Sequence, residues 1–97
     1  MNIKNNWTYK DPIPNDYFDP YYVIWLKENY ILICYVLDSH KGGDEYKYTW
    51  EEFIKEKDKI IKRYHITEEV INEIIETIEK INSASTEERQ KIIKELT

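Results

Sequence analysis

Cysteine, glycine and proline are scarce in this chain of 97 residues, which holds one, two and three of them. A single cysteine, Cys34, excludes an internal disulfide. Long apolar runs are also missing. The two longest, "YYVIWL" at 21–26 and "YILICYVL" at 30–37, fall well short of the roughly 20 residues that a membrane-spanning helix needs. The opening "MNIKNNWTYKDP" lacks the apolar core of a secretory signal. Together these absences lead us to expect no membrane partner and a reducing, cytoplasmic setting. Positive charge is in deficit, with 14 Lys and Arg against 19 Asp and Glu, a net charge of −5. Such a chain repels phosphate backbones at long range. A general nucleic-acid binder is therefore disfavoured, and a basic protein partner is expected.

Aromatic residues are abundant. Nine Tyr and three Trp are present, and eight of those Tyr and two of the Trp fall within the first 49 residues. A chain of this length forms one domain, 1–97, burying about two-thirds of its unfolded surface. We divide it into an extended arm over 1–20, a sheet over 21–49 and helices over 50–97. The arm carries Pro12, Pro14 and Pro20, whose fixed φ and effect on the preceding residue favour irregular, extended backbone. Two β-rich runs follow, separated by Lys27-Glu28-Asn29, a short hairpin loop in which Asn29 can take a left-handed position. The run 30–37 is apolar on both faces, with Tyr30, Leu32, Cys34 and Val36 on one and Ile31, Ile33, Tyr35 and Leu37 on the other. That pattern marks a central strand covered on both sides. "YKYT" at 46–49 is the candidate for its other neighbour, after a connecting loop "DSHKGGDE". The pairing register stays open at this point.

Beyond residue 49 the apolar period changes from two to 3.6. Thr49, Thr67 and Ser85 stand before paired glutamates, and Thr49 with Glu52 and Ser85 with Glu88 have capping-box spacing. Helices are expected over about 50–64, 67–82 and 86–96. On the first, Trp50, Phe53, Ile54, Ile60, Ile61 and Tyr64 share a side, with Lys57 inside that stripe and in need of a partner. On the second, Val70, Ile71, Ile74, Ile75, Ile78 and Ile81 oppose an arc of glutamates. The expected fold is α+β: a three-stranded antiparallel β-meander followed by three α-helices packed on one face.

Few residues suggest chemistry. Gly42-Gly43-Asp44-Glu45-Tyr46 resembles the GG-D/E-E-F turn of the diguanylate cyclases, which implies nucleotide approach at the glycines and an acidic metal ligand. The resemblance covers five residues. No Asp precedes it in an apolar strand, the following "KYTW" is mixed, and the cyclase domain is longer than this whole chain. We therefore read the motif as a glycine-permitted hairpin loop. Asp38-Ser39-His40 contains triad residue types, but three consecutive residues point in different directions. His40, His65 and Cys34 show no paired ligand spacing. Asp38, Asp44 and Glu45 form the one candidate group for a weakly held hard cation, and Cys34 reads as a small buried hydrophobe. No catalytic residue, metal or cofactor is expected.

Two features point to binding. "NDYFDPYY" at 15–22 sets Tyr17, Phe18 and Tyr21 around Asp19 beside a strand, and Tyr is enriched in interface hot spots. Glu69, Glu73 and Glu76 form a line of carboxylates along the second helix. With Asp44 and Glu45 these residues make an acidic, tyrosine-rich candidate surface. The expected function is a non-enzymatic inhibitor that blocks a basic partner such as a nuclease or toxin. In size and charge the chain resembles phage anti-CRISPR and other anti-defence proteins and toxin-neutralising immunity proteins. The alternatives are a nucleotide-sequestering binder and an oligomeric, for instance homodimeric, regulatory or structural phage component.

Overall fold

The computed structural model describes residues 4–11, 20–37 and 43–96. Among these, four strands run in chain order across one antiparallel sheet, β1 (Asn6–Lys10), β2 (Tyr21–Leu26), β3 (Tyr30–Val36) and β4 (Glu45–Thr49). Four helices follow, α1 (Trp50–Lys55), α2 (Lys57–Tyr64), α3 (Glu68–Ser83) and α4 (Thr86–Leu96). The class is α+β, with one strand and one helix more than expected. The extra strand comes from the proline-bearing arm. The alternating Trp7 and Tyr9 of β1 lie ahead of the first proline, so β1 keeps its amide donors and pairs along the edge of β2. The extra helix arises because the backbone departs from helical geometry at Glu56, at φ −99°, ψ 20° between α1 and α2, although the Glu56 N–H still donates to the Glu52 carbonyl and its carbonyl accepts from the Ile60 N–H.

The register of the central hairpin places Trp25 opposite Leu32 and Leu26 opposite Ile31, and the Lys27 N–H donates to the Tyr30 carbonyl at 2.9 Å. Lys27-Glu28-Asn29 is the turn, as expected, but Asn29 does not adopt positive φ. His65, at φ 55°, is the one described residue that does. It ends α2 in the left-handed region where glycine is more usual, and the buried Ile66 follows it into the core.

Period-two alternation decides which side of the sheet is covered. Trp7, Tyr22, Ile24, Leu26, Ile31 and Ile33 are buried, and each lies on the face that packs against the helices. Phe53, Ile60 and Tyr64 from α1 and α2 meet them, with Ile71, Ile74, Ile78 and Ile81 from α3 and Ile92 and Leu96 from α4. Ile54 is 39 % exposed. It stands about 100° around the helix from Phe53, at the edge of the apolar stripe. Lys57 escapes the same stripe by donating from its Nζ to Asn72 Oδ1 at 3.1 Å.

All three expected helix starts are capped by the expected side chains. Thr49, Thr67 and Ser85 accept from the backbone N–H groups of Glu52, Val70 and Glu88 at 3.1, 3.3 and 3.3 Å. Among the described residues no helix is long and apolar enough to cross a membrane.

Candidate functional site

The helices cover one face of the sheet, and among the described residues nothing covers the other. In register across it run Lys10, Tyr21 and Val36, then Thr8, Val23, Cys34 and Glu45, then Asn6, Trp25, Leu32 and Lys47, with Tyr30 and Thr49 closing the turn end. An antiparallel sheet with one solvated face normally carries polar residues there. The edge strands obey this rule with Asn6, Thr8 and Lys10 on β1 and Glu45, Lys47 and Thr49 on β4. The central strands do not. Tyr21, Val23, Trp25, Tyr30, Leu32, Cys34 and Val36 are all apolar or aromatic, and each keeps partial exposure. Neighbouring side chains shield one another, yet no second layer covers them among the described residues.

Two lysines are held at the rim of this patch by its own rings. Lys27 Nζ stands 5.0 Å from the centroid of Trp25 and Lys47 Nζ 4.8 Å from that of Tyr30. A ring quadrupole attracts an ammonium at that distance. One face of each ring is therefore occupied, while the ammonium groups stay at the border of the apolar centre.

A second constellation lies on the helix-facing side, at the end of the sheet where β1 leads into 12–19 and β3 into 38–42. Tyr9 stacks on Tyr22 at 5.1 Å, and Tyr22 meets Tyr35 at 4.9 Å and Tyr64 at 6.1 Å. Tyr46 and Tyr48 approach Tyr64 at 5.1 and 6.2 Å. The Tyr9 hydroxyl donates to the Tyr64 carbonyl at 3.1 Å, and the hydroxyls of Tyr48 and Tyr64 lie 2.6 Å apart. The Arg63 guanidinium lies 5.1 and 5.3 Å from the rings of Tyr46 and Tyr64. Burial pushes the Tyr22 hydroxyl from its ordinary value near 10 up to about 12, helped by Asp11, Tyr35 and Tyr46. Burial raises Tyr9 and Tyr64 further, Tyr64 also through its hydrogen bond to Tyr48 and against the opposing pull of Arg63. These phenols stay protonated through neutral pH and act as a cross-braced wall. Cys34 is likewise raised, by burial and by Glu45 beside it on β4, and remains a thiol.

Those of the expected site residues that are described do not form one patch. Tyr21 and Glu45 are on the open face. Asp44 is exposed on the tyrosine side, its carboxylate 3.4 Å from the Tyr46 hydroxyl and its carbonyl accepting from the Tyr35 N–H at 2.9 Å. Glu69, Glu73 and Glu76 are exposed on α3, in the layer behind the sheet, because Ile71, Ile74, Ile78 and Ile81 turn the opposite arc of that helix inward. Tyr17, Phe18 and Asp19, and Asp38 of the cation group, lie outside the described residues. Among the described residues no three His, Cys, Asp or Glu side chains converge as metal ligands do.

Sequence reasoning missed Val23, Trp25, Leu32, Val36, Lys27 and Lys47 as site residues, though the two-faced apolarity of 30–37 carried the signal. That pattern asks for two covers, and the helices supply one. Compared with known proteins, the chain matches no family model, no curated protein and no solved structure.

Proposed function

We propose that this chain is a small, non-enzymatic binding protein that blocks a protein partner by seating it on the open face of its sheet. The observation that carries the reading is the apolar surface of the two central strands, Val23, Trp25, Leu32, Cys34 and Val36, left without a second layer among the described residues. Contiguous apolar patches of a few hundred Å² on a small soluble domain mark interaction sites more often than they serve solubility. Trp25 and Tyr21 add the residue types that dominate binding energy at such sites. An inhibitor or immunity-type role, as its size and charge suggest, needs nothing more than this surface and a rigid scaffold behind it.

The exposed line of Glu69, Glu73 and Glu76 supports a second reading, in which a basic partner is met by α3. Site-specific photo-crosslinking separates the two. A photoreactive side chain at position 23 should give partner adducts in lysate of the host cell, and Leu32→Glu should abolish them while the circular dichroism spectrum is kept. Adducts formed from position 73 and indifferent to Leu32→Glu would transfer the site to the acidic helix.

A further inference from the structure

We infer that a second copy of this chain pairs antiparallel along the outer edge of β4, in a register set by charge. The inference concerns the rim of the sheet and stands apart from the binding reading of its face. β4 has β3 on one side only. The Asp44 carbonyl accepts from the Tyr35 N–H at 2.9 Å, and in the same alternation Tyr46 and Tyr48 bond to β3 opposite Ile33 and Ile31. The N–H and C=O groups of Glu45 and Lys47, which fall between them, therefore point outward. Both residues are exposed, and among the described residues nothing bonds to those groups. Unpaired backbone of this kind is a template for another strand.

Charged side chains commonly blunt such an edge, but here the two signs alternate along one face of the strand. A pairing centred on Tyr46 sets Glu45 opposite the partner's Lys47 and Lys47 opposite the partner's Glu45. Each of those pairs exchanges both of its backbone hydrogen bonds. The registers on either side fail, because centring on Glu45 or on Lys47 brings like charges face to face. Lys47 leans over the Tyr30 ring at 4.8 Å and keeps further N–H donors for a carboxylate. On the helix side Tyr46 meets the partner's Tyr46. There the Arg63 guanidinium stands 5.1 Å from the Tyr46 ring and the Asp44 carboxylate 3.4 Å from its hydroxyl, one charge of each sign. β1, the opposite edge, carries no such code, since Asn6 and Thr8 are uncharged and Lys10 already has a partner. A match along a strand of 5 residues is small, which places the dimer among the weak, transient interfaces that bury less than about 1,200 Å² in total. It joins the two sheets into one and lays side by side the two sheet faces opposite the helices.

Sedimentation velocity of the full chain, from micromolar to millimolar concentration at low salt, tests the inference. A dimer should form as concentration rises and retreat as salt is added, since its ion pairs are exposed. Lys47→Glu and Glu45→Lys should each weaken it at least about tenfold, because attractive pairs become repulsive ones. The chain that carries both changes should recover the dimer, and so should an equimolar mixture of the two single variants, with circular dichroism unaltered throughout. Amide hydrogen exchange reads the edge without any substitution. The N–H groups of Glu45 and Lys47 should gain protection in the concentrated sample, while those of Asn6 and Thr8 should not. A chain that stays monomeric to millimolar concentration would overturn the inference. So would a dimer that leaves the amides of Glu45 and Lys47 unprotected, or one that the double exchange fails to restore. Growth beyond a dimer would overturn it too, because an open contact of β4 with the partner's β1 does not close.

Discussion

Gly43 shows how a single residue can be required for a reason its neighbours in sequence do not reveal. The pair Gly42-Gly43 suggests backbone in the left-handed region, yet no described glycine has positive φ. Gly43 is needed because a Cβ built on it would lie 1.5 Å from the Tyr35 carbonyl oxygen. The next residue, Asp44, accepts the Tyr35 N–H, so the chain cannot draw back without opening the start of β4. We expect Gly43→Ala to lower stability by more than about 2 kcal/mol, read as the drop in midpoint of a urea or thermal melt. A loss below half of that would show that the approach relaxes at little cost. Trp7 is the opposite kind of residue, buried at 2 % exposure with an indole N–H that meets no acceptor among the described residues. Lys4, 5.7 Å from its ring centroid, contributes through the ring face and leaves that donor unsatisfied.

At the scale of elements, the helices were legible because each carries its own start signal and its own stripe. Thr67, with Glu68 and Glu69 in the first turn, begins α3 within one residue of expectation. Its hydroxyl has one evident duty, accepting from the Val70 N–H at 3.3 Å. Thr67→Ala should therefore cost about 1 kcal/mol in chemical denaturation, and Thr67→Ser should restore most of it. Equal stability of all three chains would remove the cap from the account. The strands were legible where residues alternate, at 46–49, and as a two-faced apolar run behind a turn, at 30–37. Residues 6–10 were harder, since a five-residue run with two large aromatics beside a proline-bearing stretch reads equally as an arm. Only pairing with β2 turns it into a strand.

Across the whole molecule, the tyrosines tie together elements that are far apart in sequence. Tyr9 of β1, Tyr22 of β2, Tyr48 of β4 and Tyr64 of α2 share ring contacts and hydrogen bonds. Their ionisation is coupled to the fold with a definite sign. The folded state raises these hydroxyls above the ordinary value near 10, so it favours the protonated form. The stability this contributes is whole below pH 10 and falls as the pH rises from there through the folded values, its loss complete for Tyr22 near 12. An alkaline titration followed at once by tyrosinate absorbance and circular dichroism should show some of the nine tyrosines ionising only as the helical signal collapses. All nine titrating reversibly near pH 10 in a folded chain would contradict the packing of the cluster.

Residue type and spacing were enough to determine the α+β class, the three helix caps, the two faces of β3 and the inward arc of α3, because each depends on contacts within a few residues. The excess of tyrosine in the first 49 residues was equally plain, but which rings would be wall and which surface was not. Tertiary structure decided that Tyr22 is buried, that Trp25 stands on an open face and that the acidic helix lies in the layer behind it. It decided also that lysines distant in sequence converge around that face. These outcomes depend on which side of a two-faced strand the helices choose to cover, and that choice is made by the summed burial of the whole core, not by any segment alone.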